Sequence, residues 1–339
     1  MEKHNRSNVY NIVKFISVIL VVVAHSTRMY TEYGTFHPLN GSRILSLLTE
    51  YIYKFHMPLF ILVSGSVFAL CIEKGKYNNV LGFISNKAKR LLIPYYFFGF
   101  LYVAPVMVLL GLTSGSFVEY CYTGIVCSLN SRHLWYILAL FYIFILGIAA
   151  KPMIEKSRKL RVVVLLCSAV LFCFSSRFPE KFQISAAFNY QLYFFVGVFL
   201  HYEYDVFVKI VRKLSYLLLL LPFVLAGMFF FNPNAATNIC YRFVGIFMIL
   251  SCSIYIDRKC NWLTKSSIYK RIQNDSFGIY LFHPMIIYVF YYFLEDKNIN
   301  PFVLCFAIAI LAIILSILAT NIVRILRMHI FIGETKKEK

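Results

Sequence analysis

Long apolar runs separated by short polar and mostly basic segments fill the sequence. A membrane-spanning helix needs roughly 20 mostly apolar residues. Ten stretches approach that length, near 9–28, 52–72, 91–111, 133–150, 160–176, 188–202, 214–231, 238–256, 276–294 and 301–323. They are apolar on all sides instead of alternating, which predicts helices and not the strands of a barrel. The run at 188–202 is short and carries Asn189 and Gln191. The longest interval between runs, about 29–51, is too short for a separate soluble domain. The pattern predicts an all-α polytopic transmembrane helix bundle of about ten spans over residues 9–325. A short tail at 1–8 precedes it and a basic tail at 326–339 follows it. The first run has a basic start, as a signal peptide does. Lys14 interrupts it and no small-x-small cleavage site follows, so it reads as a retained helix.

Composition agrees with the pattern. Of 339 residues, 60% are hydrophobic and only 14% charged, against roughly a quarter charged in soluble chains. A soluble enzyme, a disordered chain, collagen and a disulfide-rich secreted module are excluded. The net charge of +19 would suit nucleic acid or anionic lipid, but its distribution favours another origin. Twenty-five of the 34 Lys and Arg fall in one alternating set of loops, from Lys3 and Arg6 to the C-terminal lysines. Seven fall in the opposite set, and Lys14 and Arg242 lie within spans. Basic residues accumulate in cytoplasmic loops, so both termini are expected in the cytoplasm. The nine Cys form no CxxC and no metal-ligand spacing with His. Most sit in apolar runs as small packing residues, though Cys121 and Cys127 could pair within one loop.

Polar residues inside spans are the functional candidates, because an ionisable group there costs about 2.5–3.5 kcal/mol on insertion scales. Lys14 and His25 are eleven residues apart, which returns to the same helix face roughly 16 Å further along the axis. Asn11 shares that face. Alone, either residue reads as a snorkelling Lys or an interfacial His; the aligned pair points to function. His56 and His133 are expected at a depth similar to His25, as interface residues or as part of one site. Pro58 is expected to bend the second span, and Ser64-Gly65-Ser66 to let a neighbouring helix approach closely. Lys87 and Arg90 enter the third span from a basic loop, as ordinary loop charge or as a phosphate clamp. Arg242 requires an acceptor or a polar substrate. Ser276, Gly278, Tyr280 and His283 form a further polar patch, expected deeper and nearer the cytoplasm.

Taken together, the chain resembles the integral-membrane acyltransferases of family 3 over roughly residues 6–325. The matching features are a basic residue and a His with ten residues between them (Lys14, His25) and an F-x-MPLF helix ending in Ser-Gly (Phe55 to Gly65). A basic-x-x-Arg pair follows before Leu and Pro-Tyr (Lys87, Arg90, Leu91, Pro94, Tyr95). Next come Leu134-Trp135-Tyr136 and a late Ser-x-x-x-Tyr-Leu-x-His (Ser276, Tyr280, Leu281, His283). The chain departs from the family in having Lys14 where Arg is usual and Asn11 where an acid is usual. The first change keeps the charge but loses the planar fork.

The resemblance implies transfer of an acyl group, most often acetyl, from cytoplasmic acyl-CoA to a hydroxyl of a cell-surface polysaccharide or lipid-linked sugar. It implies a multi-pass protein of the bacterial plasma membrane, acetyl-CoA or another acyl-CoA as donor, and no metal. The expected partners are the sugar acceptor, membrane lipid and glycan-assembly proteins, with no nucleic acid. His25 would be the catalytic base or carry the acyl group itself. Lys87 and Arg90 would hold the CoA phosphates and Lys14 the pantetheine arm. His56, His133, Trp135, Arg242, Tyr280 and His283 would bind substrate or support the site. The alternative class is a transporter or flippase for a surface-glycan intermediate; paired broken helices and an inverted repeat, which it would favour, are not visible in the sequence.

Overall fold

The computed structural model describes residues 6–113, 115–213 and 235–334. The expected span at 214–231 lies outside them. The described residues contain helices and no strand. The long helices are α1 (Arg6–Thr27), α2 (Arg43–Glu73) and α3 (Val80–Phe98), which continues through a π-helical turn into α4 (Ala104–Leu109). A short α5 (Phe117–Tyr120) precedes α6 (Trp135–Lys156), α7 (Arg158–Cys173), α8 (Ile184–Tyr202) and α9 (Tyr204–Lys213). After them come α10 (Ala235–Lys259), α11 (Asn261–Lys265), α12 (Ser267–Asn274), α13 (Ser276–Leu294) and α14 (Pro301–Ile325).

Local chemistry sets several of the starts. The Ser42 hydroxyl accepts from the Leu45 amide and begins α2 well before the apolar run does. The connection expected over 29–51 is shortened accordingly. Asn79 and Ser157 cap α3 and α7 in the same way, and Asn300 caps α14 just before Pro301. Seven helical segments among the described residues are long and apolar enough to cross a membrane. Two of the ten expected spans form helices but fall outside that set. Helix α7 has only 16 residues. Helix α8 carries Asn189 and a fully buried Gln191, whose amide donates to the Ser168 carbonyl at 2.6 Å. Pro58 lies inside α2, and the helix runs on through it.

The helix ends sort to two ends of the bundle. At the first, Tyr10 of α1 meets His201 of α8 at 2.9 Å, and His201 meets Glu73 of α2 at 3.0 Å. Buried Asp275 lies between Arg271 and Arg324 there, and Arg324 also binds Glu334. Residues His329–Glu334, expected in a free tail, fold back onto α3. Phe331 stacks on Phe97 at 4.1 Å, and the Arg90 Nε donates to the Gly333 carbonyl at 3.0 Å. At the second end, the Tyr291 hydroxyl of α13 donates to the Ser26 carbonyl of α1 at 3.1 Å, and the Lys54 ammonium donates to Asn238 of α10 at 2.8 Å.

Helices α2 and α8 approach until backbone meets backbone, as the Ser64-Gly65-Ser66 run anticipates. A Cβ on Gly65 would lie 2.0 Å from the Phe194 carbonyl oxygen, and one on Gly197 would lie 2.0 Å from that of Leu62. The Ser66 hydroxyl donates to the Gly197 carbonyl at 2.9 Å across the contact. Close packing of small residues supplies helix association where lipid provides no hydrophobic drive.

Backbone cannot yield as a flexible side chain can, so Gly65→Ala and Gly197→Ala must each force the helices apart. Each is expected to lower stability by about 1–3 kcal/mol. Thermal unfolding of the detergent-purified chain measures it; a melting temperature within a degree of the wild type for both variants would refute the contact.

Candidate functional site

Helix α1 carries the two residues singled out by periodicity, and the bundle gives them different surroundings. Lys14 is half-buried near the first end. Its ammonium reaches the Gln273 carbonyl of α12 at 3.5 Å, and the Arg90 guanidinium is close enough for the two charges to be felt. Lys87 is one turn before Arg90, with its ammonium 3.6 Å from the centre of the Phe144 ring and 5.5 Å from that of Phe83. The three cations therefore gather at one end, but Lys87 is directed onto aromatic faces.

His25 stands at the other end of α1 and lines a cavity of about 450 Å³. The cavity takes His56 and Tyr53 from α2, His133 and Trp135 from the start of α6, and Tyr280 from α13. Its rim includes Leu129, which is 49% exposed, so it reaches the surface at the turn before α6. The three histidines expected at similar depth thus share one wall. His283 needs a correction: it belongs with them and not with a separate, deeper patch. Its ring centre lies 5.1 Å from that of His25 and 6.1 Å from that of His133. The reason is register. Helix α12 ends at the level of Lys14, as the Gln273 contact shows. Ten further residues along α13 climb as far as the eleven from Lys14 to His25.

Backbone carbonyls fix three of the imidazoles. The Nδ1–H of His283 donates to Ile279 at 2.7 Å, and that of His56 donates to Ile52 at 2.9 Å. The Nε2–H of His133 donates to Leu281 at 3.1 Å. A carbonyl only accepts, so each bond assigns the proton to that nitrogen. It leaves the Nε2 of His283 and the Nδ1 of His133 as bare lone pairs. Both are buried and neither has a protein partner among the described residues, and the same holds for the Nδ1 of His25. The Tyr280 hydroxyl donates to the His133 carbonyl and steadies the turn beneath it.

Trp135 packs on Tyr190 with ring centres 5.1 Å apart, giving the cavity a flat aromatic side. Arg242 does not line the cavity; its guanidinium donates to the Tyr193 hydroxyl at 3.3 Å. The structure adds residues that periodicity and motif did not single out. Arg28 and Arg132 both line the cavity, with Asn130, Ser131, Gln183 and Tyr288. All but Tyr288, which lies in α13, sit in turns or short 3-10 segments, where an apolar-run pattern carries no signal. Cys121 and Cys127 are both free thiols.

A family model described as an acyltransferase domain matches residues 8–321. No curated protein and no solved structure matches the chain.

Arg132 is held at a φ of 52°, in the left-handed region, where a non-glycine residue pays about 1–2 kcal/mol. Its backbone is therefore held against preference while its side chain lines the cavity. Arg132→Gly should melt at or above the wild-type temperature and Arg132→Ala below it. Equal losses in thermal unfolding would show that the backbone holds no strain there.

Proposed function

The chain belongs to acyltransferase family 3, and from that premise we propose that it is a membrane O-acyltransferase using His25 to move an acyl group from acyl-CoA to a sugar hydroxyl. The observation that carries this reading is the placement of His25. It forms part of a cavity wall, with His283 behind it, and is joined along one helix face to a cationic end that suits phosphates. We take the donor to be acetyl-CoA entering at the end of Lys14 and Arg90, and that end to be cytoplasmic. The charge distribution supports ten spans with both termini on that side, in a bacterial plasma membrane.

The donor is elongated, and the roughly 16 Å from Lys14 to His25 suits a pantetheine arm laid along α1. Arg90 holds phosphate and Lys14 steadies the arm. Lys87, packed on two phenyl rings, contributes field more than contact. In the cavity, the flat face of Trp135 and Tyr190 receives the sugar ring. His283 keeps its own proton on Nδ1, so its Nε2 accepts the Nδ1–H of His25 once the rings align. That leaves the His25 Nε2 lone pair for the acceptor.

The Nε2 takes the hydroxyl proton as the oxygen attacks the thioester carbonyl. When the tetrahedral intermediate collapses, the carbon–sulfur bond breaks and the thiolate takes that proton, leaving the ester and free CoA. In the two-step form the Nε2 attacks the thioester itself. The carbon–sulfur bond breaks, the thiolate takes the Nδ1 proton of His25 relayed through His283, and CoA leaves. The hydroxyl oxygen then attacks the acyl-imidazole, the acyl–nitrogen bond breaks, and the hydroxyl proton returns to His25.

A general base contributes about 10²–10⁴-fold, so His25→Ala should lower acyl transfer by at least that factor at unchanged protein level. His25→Gln should do the same, because it hydrogen-bonds but cannot cycle a proton. His283→Ala should cost less, about tenfold, since it acts through His25. Release of free thiol from acetyl-CoA by purified protein, with and without a sugar acceptor, reads all three. Near-normal release by His25→Ala would overturn the mechanism.

The donor end makes an independent expectation. Arg90→Ala should raise the donor KM more than it lowers kcat, because it contacts non-reacting phosphate. Lys14→Arg should keep activity and Lys14→Ala should not. An unchanged donor KM in Arg90→Ala would remove Arg90 from the donor site.

A further inference from the structure

The cavity lining carries two arginines and, among the described residues, no acid. Arg28 follows the end of α1 and Arg132 precedes α6, so two unrelated turns deliver guanidinium groups to one space. No Asp or Glu is among the lining residues, and neither arginine forms an ion pair among the described residues. The Arg28 Nε donates to the Tyr33 carbonyl at 3.2 Å, and both guanidinium groups lie against tyrosine rings. The Arg28 guanidinium is 5.9 Å from the Tyr53 ring centre, and that of Arg132 is 6.0 Å from that of Tyr288. Tyr288 is itself held by the Thr35 hydroxyl, which donates to it at 3.2 Å. The Nε of Arg132 is buried with no hydrogen-bond partner among the described residues.

A guanidinium out of bulk water requires a paired and hydrogen-bonded acceptor. Its planar fork matches the two oxygens of a carboxylate or phosphate. Two such forks in one cavity, beside three imidazoles, would gain little from a neutral ligand. The position is also informative. Arg28 is three residues past His25, and the Tyr53 ring lies 6.0 Å from the His25 ring. An anion held at the mouth would therefore sit within one sugar unit of the reacting hydroxyl.

We propose that the acceptor is an anionic sugar, whose carboxylate or phosphate is held by Arg28 and Arg132 while a nearby hydroxyl faces His25. This rests on the acyltransferase reading and adds the acceptor's charge to it. In the complete substrate complex the donor's phosphates remain at the Lys14 and Arg90 end, so the two substrates do not compete for the same cations. The arginines are specificity-determining residues that bind and orient the acceptor without joining the proton transfer.

The test uses the full-length chain in lipid nanodiscs with Trp262→Phe. Trp262 is 72% exposed, and its removal leaves Trp135 in the cavity wall as the sole tryptophan. Its fluorescence is titrated with a uronic-acid disaccharide, a phosphorylated disaccharide and a neutral disaccharide of the same size. Either charged probe should bind at least tenfold tighter than the neutral one, and the better of the two identifies the oxyanion. Arg28→Gln and Arg132→Gln should each remove about tenfold of that preference, and Arg132→Lys should retain part of it.

Equal binding of charged and neutral probes, or no binding of any, would overturn the proposal, as would glutamine variants that keep the full preference. Displacement of the charged probe by CoA would overturn it too, by placing the donor's phosphates at this mouth. Should the glutamine variants fail to insert, the wild-type preference ratio decides. Thiol release separates the two readings. His25-dependent release without charge preference removes only the anionic acceptor, whereas charge preference without release removes the acyltransferase mechanism and leaves an anion site.

Discussion

The site depends on the register between α1 and α13. Lys14 meets Gln273 and His25 meets His283, and the two pairs differ by a single residue in sequence separation. The helices therefore climb together in the same direction, and the Tyr291 hydroxyl on the Ser26 carbonyl ties them at the far end. A slip of one turn would move His283 about 5 Å along the axis. It would then face apolar residues of α1, and its bare Nε2 would have no imidazole beside it. Glycine contacts keep such registers narrow. In α13, a Cβ on Gly278 would lie 2.1 Å from the Thr320 hydroxyl of α14, so that helix cannot slide freely past its other neighbour.

The same register explains how a polar site is tolerated within an apolar bundle. Every imidazole in the cluster has two nitrogens to satisfy, and lipid offers nothing to bind. The protein uses carbonyls of its own helices for one nitrogen of His56 and His283, and a carbonyl of α13 for His133. The Nε2 of His283 and the Nδ1 of His133 remain buried without a partner among the described residues. Carbonyl oxygens cannot donate, so no alternative proton position competes with this arrangement. The cluster is thereby a set of acceptors with His25 as the member still free to choose. Such residual freedom is what proton transfer requires, and it costs stability that Gly65, Gly197 and the tight α2–α8 contact help to offset.

Sequence periodicity reached the parts that depend on a single helix. The face shared by Lys14 and His25, the small residues of α2 and the presence of nine helices follow from local pattern, although α2 and α3 begin nine and eleven residues before their apolar runs. Motif resemblance points to the family, and depth along the spans brings His25, His56 and His133 to one level. What it missed depends on how separate helices align. The sequence pattern alone puts His283 in a deeper patch nearer the cytoplasm. The structure instead sets the level of α13 by the short helix α12 that leads into it. Arg28 and Arg132 were counted only as loop charges, since a turn has no period and its side-chain direction depends on backbone angles such as the φ of 52° at Arg132. Lys87 was grouped with Arg90 by spacing, yet Phe144 from α6 draws its ammonium away.

The division of charge between the two ends constrains how a transfer reaction must run. Lys14 and Arg90 lie at one end and Arg28 and Arg132 at the other, with α1 the shortest covalent path from Lys14 to Arg28. Two anionic substrates bound at these ends would repel each other if brought together in water, but here the distance and the intervening cations separate them. Only the neutral thioester and the neutral hydroxyl need to meet. On the proposed reading His25 stands where they would meet, near the second end, so an acyl-CoA donor would extend most of the way along α1 while the acceptor barely enters. An acyl-imidazole relaxes that requirement, because the long donor can withdraw before the acceptor settles. On that reading the two-step route eases the demand for space beside a pantetheine arm in a cavity of about 450 Å³. That volume lies at the lower end of ordinary ligand sites, roughly 300–1,000 Å³, and holding both substrates at once would leave it little room to exclude water.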